Sequence, residues 1–298
     1  MKRATIILIA LFALIATIAT SAQEPTARVT VLFDAFGAPS TLKRGWGHSA
    51  LVEYGGKRIL FDTGASLEDF TYNANALKVD LTRLDFVVLT HRHGDHTAGL
   101  HQVLKVNPGV QIYTPWEGGY FDSAAPPALV RLIKRRVESA PDDTHYFDGN
   151  YPERIGAGSA WPGAKFKQIQ TPLEVMPGFW LFSTHSDSPG NEMDEVSMVI
   201  KTPKGLVLMV GCSHPGIEKI METASNIEPR IYSVFGGLHL VMPDVEVVRV
   251  VASLRDRWKL ERIAAGHCTG EFAFSEINRV FGERFDHAGV GAVIPLPK

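Results

Sequence analysis

Short apolar runs alternate with turn-forming residues along most of the chain, and their length is typical of buried strands. The first three runs lie at 28–33 (RVTVLF), 49–54 (SALVEY) and 58–61 (RILF), and Gly55-Gly56 predicts a hairpin between the last two. Further runs predict strands at 84–89, 110–113, 179–183, 196–201, 205–210, 231–235, 262–265 and 290–294. Intervening segments predict helices at 97–104, 128–138, 215–224, 244–258 and 272–281. Early hairpins followed by alternating strands and helices predict an α/β fold with mixed sheets and outer helices.

The segment at about 115–163 breaks this pattern, because Gly, Pro and aromatic residues dominate it. We interpret it as an insertion within a single domain that spans residues 23–298. Its aromatic residues either wall a substrate pocket or pack the insertion onto the core. They are Trp116, Tyr120, Phe121, Tyr146, Phe147, Tyr151 and Trp161.

The N-terminus carries a pattern of its own. Lys2 and Arg3 precede the apolar run 4–19, and the small residues Ser21 and Ala22 precede Gln23. A basic start, a short apolar run and small residues are typical of a secretory signal peptide. We expect residues 1–22 to be removed and the mature protein to be exported, to a bacterial periplasm. The alternative is an uncleaved membrane anchor, but the run is short of the ~20 residues that span a bilayer.

The composition is that of an ordinary globular protein, with 45% hydrophobic and 21% charged residues among 298. The net charge of −2 gives no reason to expect nucleic acid or an anionic membrane as a partner, which leaves a small-molecule substrate. Both cysteines, Cys212 and Cys268, stand beside a histidine, in GCSH and GHCTG. Each cysteine could therefore form a disulfide, bind a metal or lie beside a functional site.

The densest chemistry lies in LTHRHGDHTAGL, residues 89–100. Because a strand precedes it and a helix follows, the side chains of His91, His93, Asp95 and His96 converge at a strand-to-helix junction. Imidazole and carboxylate together suit divalent transition metals. His91 and His93 point the same way if the chain is extended, whereas the other two follow Gly94, where the chain can turn. Two ligand pairs predict two metals about 3.5–4 Å apart.

Four other motifs also place ligand-type residues at the ends of apolar runs: FDTG (Asp62), GCSH (Cys212, His214), FGGLH (His239) and AGHCTG (His267). Each residue alone could be structural, such as an aspartate that caps a turn. Their shared placement predicts that they meet at one edge of a sheet.

Taken together, FDTG, LTHRHGDH, GCSH and GHCTG resemble the metallo-β-lactamase superfamily over nearly all of the mature chain. GHSALVEYGGKRILFDTG, GCSHPGI and GGLHL resemble most the branch of dihydropterin–ribofuranosylaminobenzene phosphate synthase-like hydrolases. The resemblance implies a four-layer αββα sandwich, in which two mixed sheets are flanked by helices and metals lie at the edge between the sheets.

The resemblance also implies a set of ligands. His91 and His93 would hold the first metal, Asp95, His96 and His267 the second, and Asp62 would orient the histidine loop.

Two positions depart from the superfamily pattern. Cys212 stands where an aspartate usually bridges the metals, and the third ligand of the first metal would be His214 or, alternatively, His185. We prefer His214, because GCSHPGI is a motif of the branch. His48 and His239 are expected to contact substrate or the ligands.

The function implied is that of a metal-dependent hydrolase, which uses metal-activated water on an ester, lactone, amide or phosphoester. Two divalent ions are expected, zinc with manganese or iron as alternatives, and Asp95 would also orient the water or accept its proton. The rival functions are an iron-dependent oxidoreductase or sulfur dioxygenase of the same fold, and a non-catalytic periplasmic binding protein. The cysteine in place of the bridging aspartate argues against true β-lactam hydrolysis.

Overall fold

The computed structural model describes residues 27–117, 120–121, 127–145 and 159–298. The predicted signal peptide, 1–22, lies outside these residues, as do Tyr146, Phe147 and Tyr151 of the predicted insertion. Among the described residues, no helix has the length and apolar character needed to cross a membrane.

Two seven-stranded sheets form the centre of the fold. The first comprises β1 (Arg28–Phe33), β2 (Ser49–Tyr54), β3 (Lys57–Phe61), β4 (Phe86–Val88), β5 (Gln111–Pro115), β6 (Lys165–Ile169) and β14 (Val293–Pro295). The second comprises β7 (Leu173–Met176), β8 (Phe179–Ser186), β9 (Met193–Thr202), β10 (Gly205–Val210), β11 (Ile231–Gly237), β12 (Arg262–Gly266) and β13 (Phe285–His287). Their strand orders are β14-β1-β2-β3-β4-β5-β6 and β13-β12-β11-β10-β9-β8-β7. Each sheet is antiparallel at one end and parallel from β3 or β10 onward, so both are mixed as predicted.

Helices cover the outer face of each sheet. The α-helices among the described residues are α1 (Leu67–Ala76), α2 (Gly94–Thr97), α3 (Leu100–Val106), α4 (Pro127–Ile133), α5 (Ile217–Ser225), α6 (Asp244–Asp256) and α7 (Glu271–Phe281). Residues of α1 and α3 pack in one apolar cluster with the first sheet, and those of α5, α6 and α7 pack with the second. The predicted αββα sandwich is confirmed.

The apolar layer between the sheets follows from the two-residue alternation of the strands. On β9, Val196, Met198 and Ile200 face the first sheet, whereas Val199 faces the helices. Each such side chain contributes about 1.5–3 kcal/mol when fully buried. The carboxyl ends of the parallel strands, β3 to β6 in the first sheet and β10 to β13 in the second, lie along one edge of each sheet.

Most predicted elements are present within a few residues of their predicted bounds, but β6, β7, β13 and α1 were not predicted. The sequence of β6, KFKQI, alternates weakly, because this strand lies at the edge of its sheet with four of its five residues not buried. Helix α1 has few apolar residues and is fixed by its N-cap, where the Ser66 hydroxyl accepts the N–H of Asp69 at 3.1 Å.

Two aromatic residues of the predicted insertion belong to the core. Phe121 and Trp161 are buried in the cluster beneath the first sheet, with their rings stacked at 6.1 Å. Trp116 and Tyr120 are exposed instead. The packing interpretation therefore holds for the first pair and leaves Trp116 and Tyr120 available to a ligand.

Candidate metal centre

The histidine loop begins where β4 ends and is anchored by Asp62. Thr90 donates its N–H to Asp62 Oδ1 and its hydroxyl to Asp62 Oδ2, both at 2.8 Å. Asp62 directly follows β3, which pairs in parallel with β4. Its carboxylate therefore joins two neighbouring strand ends and fixes where His91 and His93 begin.

One group of donor atoms is formed by His91, His93 and His214, all within 4.8 Å of one another. His91 Nε2 lies 3.1 Å from His93 Nδ1, and the His91 and His214 ring centroids are 4.7 Å apart. His214 comes from the loop after β10 in the second sheet. The structure thus brings together the three residues predicted for the first metal, from both sheets.

A second group is formed by Asp95, His96 and His267, again within 4.8 Å. His96 Nε2 lies 3.2 Å from His267 Nε2, and Asp95 Oδ2 lies 3.7 and 3.5 Å from these two nitrogens. His267 follows β12, and its N–H donates to the buried Asp34 Oδ2 at 2.9 Å. These are the residues predicted for the second metal.

Hydrogen bonds fix which ring nitrogen three of these histidines direct toward a cation. His96 Nδ1 bonds to Asp62 Oδ2 at 2.7 Å, and His214 Nδ1 bonds to Glu195 Oε2 at 3.0 Å. The Thr90 hydroxyl, whose proton goes to Asp62, accepts from His91 Nδ1 at 2.9 Å. With Nδ1 protonated, each of the three rings keeps a lone pair on Nε2 for a cation.

Cys212 lies between the two groups. Its sulfur is 3.2 Å from His96 Nε2, and the donor atoms of His91, His96 and Cys212 also fall within 4.8 Å of one another. Both cysteines are reduced and buried, and Cys268 donates its S–H to the Cys212 carbonyl at 3.4 Å. The disulfide alternative is therefore not realised in this structure.

Glu195 was not singled out from the sequence, although it organises the loop after β10. This buried carboxylate accepts the N–H groups of Cys212, Ser213 and His214 at 3.0, 2.8 and 2.9 Å, besides His214 Nδ1. The only signal was an acidic residue within a strand that is otherwise largely buried. Burial opposes its charge, but the hydrogen bond and charge of His214 outweigh burial and lower the pKa of Glu195.

The electrostatics of the two groups favour a neutral imidazole at His91 and His267 and a charged one at His96. Burial lowers the pKa of His91 and of His267 well below the usual range, and the neighbouring His96 adds to both effects. Burial also disfavours charge on His96, but the charge and hydrogen bond of Asp62 outweigh it and raise the His96 pKa. Burial raises the pKa of the Cys212 thiol well above its usual value, and Cys268 raises it further.

The backbone at these strand ends lies in the left-handed region. Asp62 has φ 59°, Ser213 φ 65°, His239 φ 46° and His267 φ 48°. Residues other than glycine rarely adopt such angles, which cost about 1–3 kcal/mol each and cluster at functional sites. The surrounding hydrogen bonds hold these turns, and the turns direct the side chains to one place.

Three further histidines were considered from the sequence. His185 lies outside both donor groups and bonds to Asp194 Oδ1 at 2.8 Å. The His239 ring lies 4.7 Å from that of His214, beside a cavity of about 380 Å³ that Leu240 and Met242 also line. His48 is fully buried, with its ring 6.1 Å from that of His267. His239 thus faces a space next to the candidate centre, and His48 lies behind it.

The donor set fits divalent metal ions. Five imidazoles, a carboxylate and a thiol converge, and His96 Nε2 lies 3.2 Å from His267 Nε2, so that one cation could bind both nitrogens. Imidazole and sulfur donors suit zinc and iron better than magnesium or calcium.

The chain is similar to known proteins in sequence. A family model described as the metallo-β-lactamase superfamily matches residues 44–174. A relative from Methanocaldococcus jannaschii, named 7,8-dihydropterin-6-methyl-4-(β-D-ribofuranosyl)-aminobenzene-5'-phosphate synthase, is 30% identical over 250 residues, covering 80% of this chain and 84% of that protein.

Solved structures agree on the fold. The crystal structure of a metal-dependent hydrolase of the β-lactamase superfamily matches with a TM-score of 0.66 and 24% identity, covering 91% of this chain and 99% of that one. Zinc-bound PqqB from Methylobacterium extorquens matches with a TM-score of 0.51 and 15% identity, covering 90% of this chain and 100% of that one.

Proposed function

Since the chain belongs to the metallo-β-lactamase superfamily, we propose that it is a metal-dependent hydrolase that cleaves an ester, lactone, amide or phosphoester. The observation that carries the proposal is the convergence of six ligand-type side chains, drawn from both sheets, into two groups of three. A merely structural histidine cluster would not need donors from strand ends so distant in the sequence.

The ligand assignment follows the two groups. His91, His93 and His214 would hold one divalent ion, and Asp95, His96 and His267 the other, with zinc as the ion that suits these donors. Such an ion lowers the pKa of water from 15.7 to roughly 7 and polarises a carbonyl or phosphoryl oxygen.

Asp95 has a second role in the proposal. Unlike the fully buried His96 and His267 beside it, its side chain is 19% exposed. Its carboxylate therefore reaches both the ligand group and the solvent side, where it would orient the attacking water or accept its proton. His239, at the mouth of the adjoining cavity, would contact the substrate.

A second candidate is a reaction of the synthase type. It is favoured by the archaeal relative, which is named a synthase and is 30% identical over 80% of this chain. A synthase and a hydrolase of this fold would share the metal ligands and differ in whether water or a second substrate is the acceptor.

One screen tests the hydrolase proposal against the oxidoreductase and the binding protein. Protein loaded with zinc, manganese or iron is offered esters, lactones, amides, phosphodiesters and β-lactams, with metal content and oxygen uptake recorded. Zinc-dependent hydrolysis that His93→Ala abolishes is the expected result. Stoichiometric iron with oxygen consumption would favour an oxidoreductase, and tight ligand binding with no product would favour a binding protein.

A further inference from the structure

A second cavity, of about 580 Å³, lies away from the residues that would hold metal. Its lining comes from both sheets: Trp116 and Gln170 follow the ends of β5 and β6, whereas Ser183, His185 and Asp194 belong to β8 and β9. This volume is in the range of pockets that bind small molecules.

The cavity is built on the same two strands that support the candidate metal centre. Neighbouring residues of a strand point to opposite faces. Ser186 donates its hydroxyl to the His214 carbonyl at 3.2 Å, and Glu195 binds His214 directly. Their strand neighbours His185 and Asp194, which pair across β8 and β9, line the cavity instead.

A further link runs through the histidine loop. Arg92, which stands between His91 and His93, pairs with Glu117 and donates to the Glu192 carbonyl at 3.0 Å. Glu117 in turn accepts the N–H of Asp194 at 2.8 Å. A ligand seated against Asp194 would therefore lie beside the segment that carries two of the proposed metal ligands.

The lining offers hydrogen bonds that the described protein does not use. The Ser183 hydroxyl is buried and has no hydrogen-bond partner among the described residues. His185 Nδ1 bonds to Asp194 Oδ1, which leaves the second carboxylate oxygen free to accept from a ligand. Trp116, 38% exposed, adds a flat apolar face.

The charge of the cavity disfavours an anion. Neither lysine nor arginine is among the described residues that line it. The nearby cations are engaged elsewhere, because Arg92 pairs with Glu117, and Lys219 binds the His185 carbonyl and Asp187. A phosphate or carboxylate would meet Asp194 with no lysine or arginine of the lining to compensate the repulsion.

We propose that this cavity binds a neutral ring that has an apolar face and a rim of hydrogen-bond donors, as part of the substrate. The face would stack on Trp116, and donors at the rim would reach Asp194 and Ser183. A sugar and a nitrogen heterocycle share this chemistry. The inference rests on the proposed function in one respect, namely that the bound ring belongs to the molecule that reacts at the metal centre.

Binding is tested separately from turnover. Methyl glucoside, thymine and inorganic phosphate are titrated into the zinc-loaded mature chain by NMR. At least one neutral ring should bind with a Kd on the order of millimolar, the strength expected for a fragment of about a dozen atoms. Trp116→Ala should weaken it at least about tenfold and Ser183→Ala several-fold, whereas Tyr72→Ala, which removes a comparably exposed aromatic of α1, should change nothing.

The outcomes separate this inference from the proposed function. The ring that binds more tightly identifies the class as sugar or heterocycle. If neither ring binds, if Trp116→Ala leaves binding unchanged, or if phosphate displaces the ring, the inference is wrong even when hydrolysis is observed. If a ring binds as expected and no hydrolysis is found, the binding site stands and the hydrolase proposal fails.

Discussion

Glu195 and His214 are joined by a hydrogen bond of 3.0 Å between Oε2 and Nδ1, and both side chains are buried. The same carboxylate accepts three backbone N–H groups of the loop that carries His214. One acidic side chain therefore sets the tautomer, the ring orientation and the backbone position of a proposed ligand.

Glu195→Gln should lower metal affinity by about 10–100-fold, the usual effect of losing an outer partner of a ligating histidine. The amide keeps the shape but loses the charge, and it cannot accept all four hydrogen bonds. Competition with a chelating dye gives the affinity. Ser197→Ala, which changes another buried polar residue of β9, is the matched control and should bind metal normally. Equal affinity in the two variants would contradict the role given to Glu195.

His91→Ala or His93→Ala should abolish metal-dependent activity and lower metal content, while the far-ultraviolet circular dichroism spectrum stays that of the wild type. Both residues lie outside the apolar clusters, so the space left by the buried His91 ring falls at the candidate metal centre and the apolar packing is kept. His185→Ala is the contrasting variant and should keep its full metal content, because His185 lies outside both donor groups. Loss of metal from that variant instead would return His185 to the ligand set.

If the Cys212 sulfur bridges the two ions as a thiolate, Cys212→Ala should lose one of them and Cys212→Asp should largely retain both, since a carboxylate replaces one anionic donor by another. Cys268→Ala should keep both ions, because the Cys268 S–H is directed at a carbonyl. The number of metal ions per chain is measured by elemental mass spectrometry. Two ions in Cys212→Ala would show that the sulfur only fills space.

The metal-free protein should lose stability as pH falls below about 6.5, where unfolded histidines take up protons. In the folded chain the pKa values of His91, His93 and His267 are lowered, first by burial, so the unfolded state binds more protons there. The pKa of His239 is lowered by burial as well, whereas the raised pKa of His96 acts in the opposite direction, one residue against four. Urea unfolding of chelator-treated protein at about pH 7.5 and about pH 5.5 checks this. A free energy of unfolding that is equal or greater at the lower pH would refute it.

The mature protein should begin near Gln23 when the full chain is expressed in a bacterium that exports it. Intact-mass measurement of the periplasmic fraction tests the cleavage position. If the protein is recovered in the membrane fraction and still carries residues 1–22, the result would support the alternative of an uncleaved membrane anchor.

The predictable part of the candidate site is the part that is local in sequence. One turn of the chain carries His91, His93, Asp95 and His96. Two further residues, His214 and His267, each follow the end of an apolar strand. The positions of the strand ends were therefore enough to predict that these side chains meet at one edge of a sheet. Glu195 was missed because its partners begin 17 residues away and the register of β9 against β10 decides what it meets. The turn between Thr202 and Gly205 sets this register, and only when it is extended beyond the predicted start of the strand at residue 196 does Glu195 come to lie opposite Cys212.

The strands of the fold also divide into those that the sequence predicts and those that it does not. Strands β1, β2 and β10 were predicted to the residue, because strongly apolar runs end there at turns. The edge strands β7 and β13 were missed, since strands with one free edge have partly exposed and polar sequences.

His96 and His267 are 171 residues apart in the chain, and they come from loops of different sheets. An ion held by both would act as a reversible crosslink that closes a long loop, in the way that a disulfide restricts the unfolded chain. Because only the folded chain brings these donors together, the lifetime of the folded state becomes a function of free metal concentration through mass action. The abundance of this protein in a cell would then follow the metal supply of its compartment, and chelation would accelerate its proteolysis before any change in its synthesis.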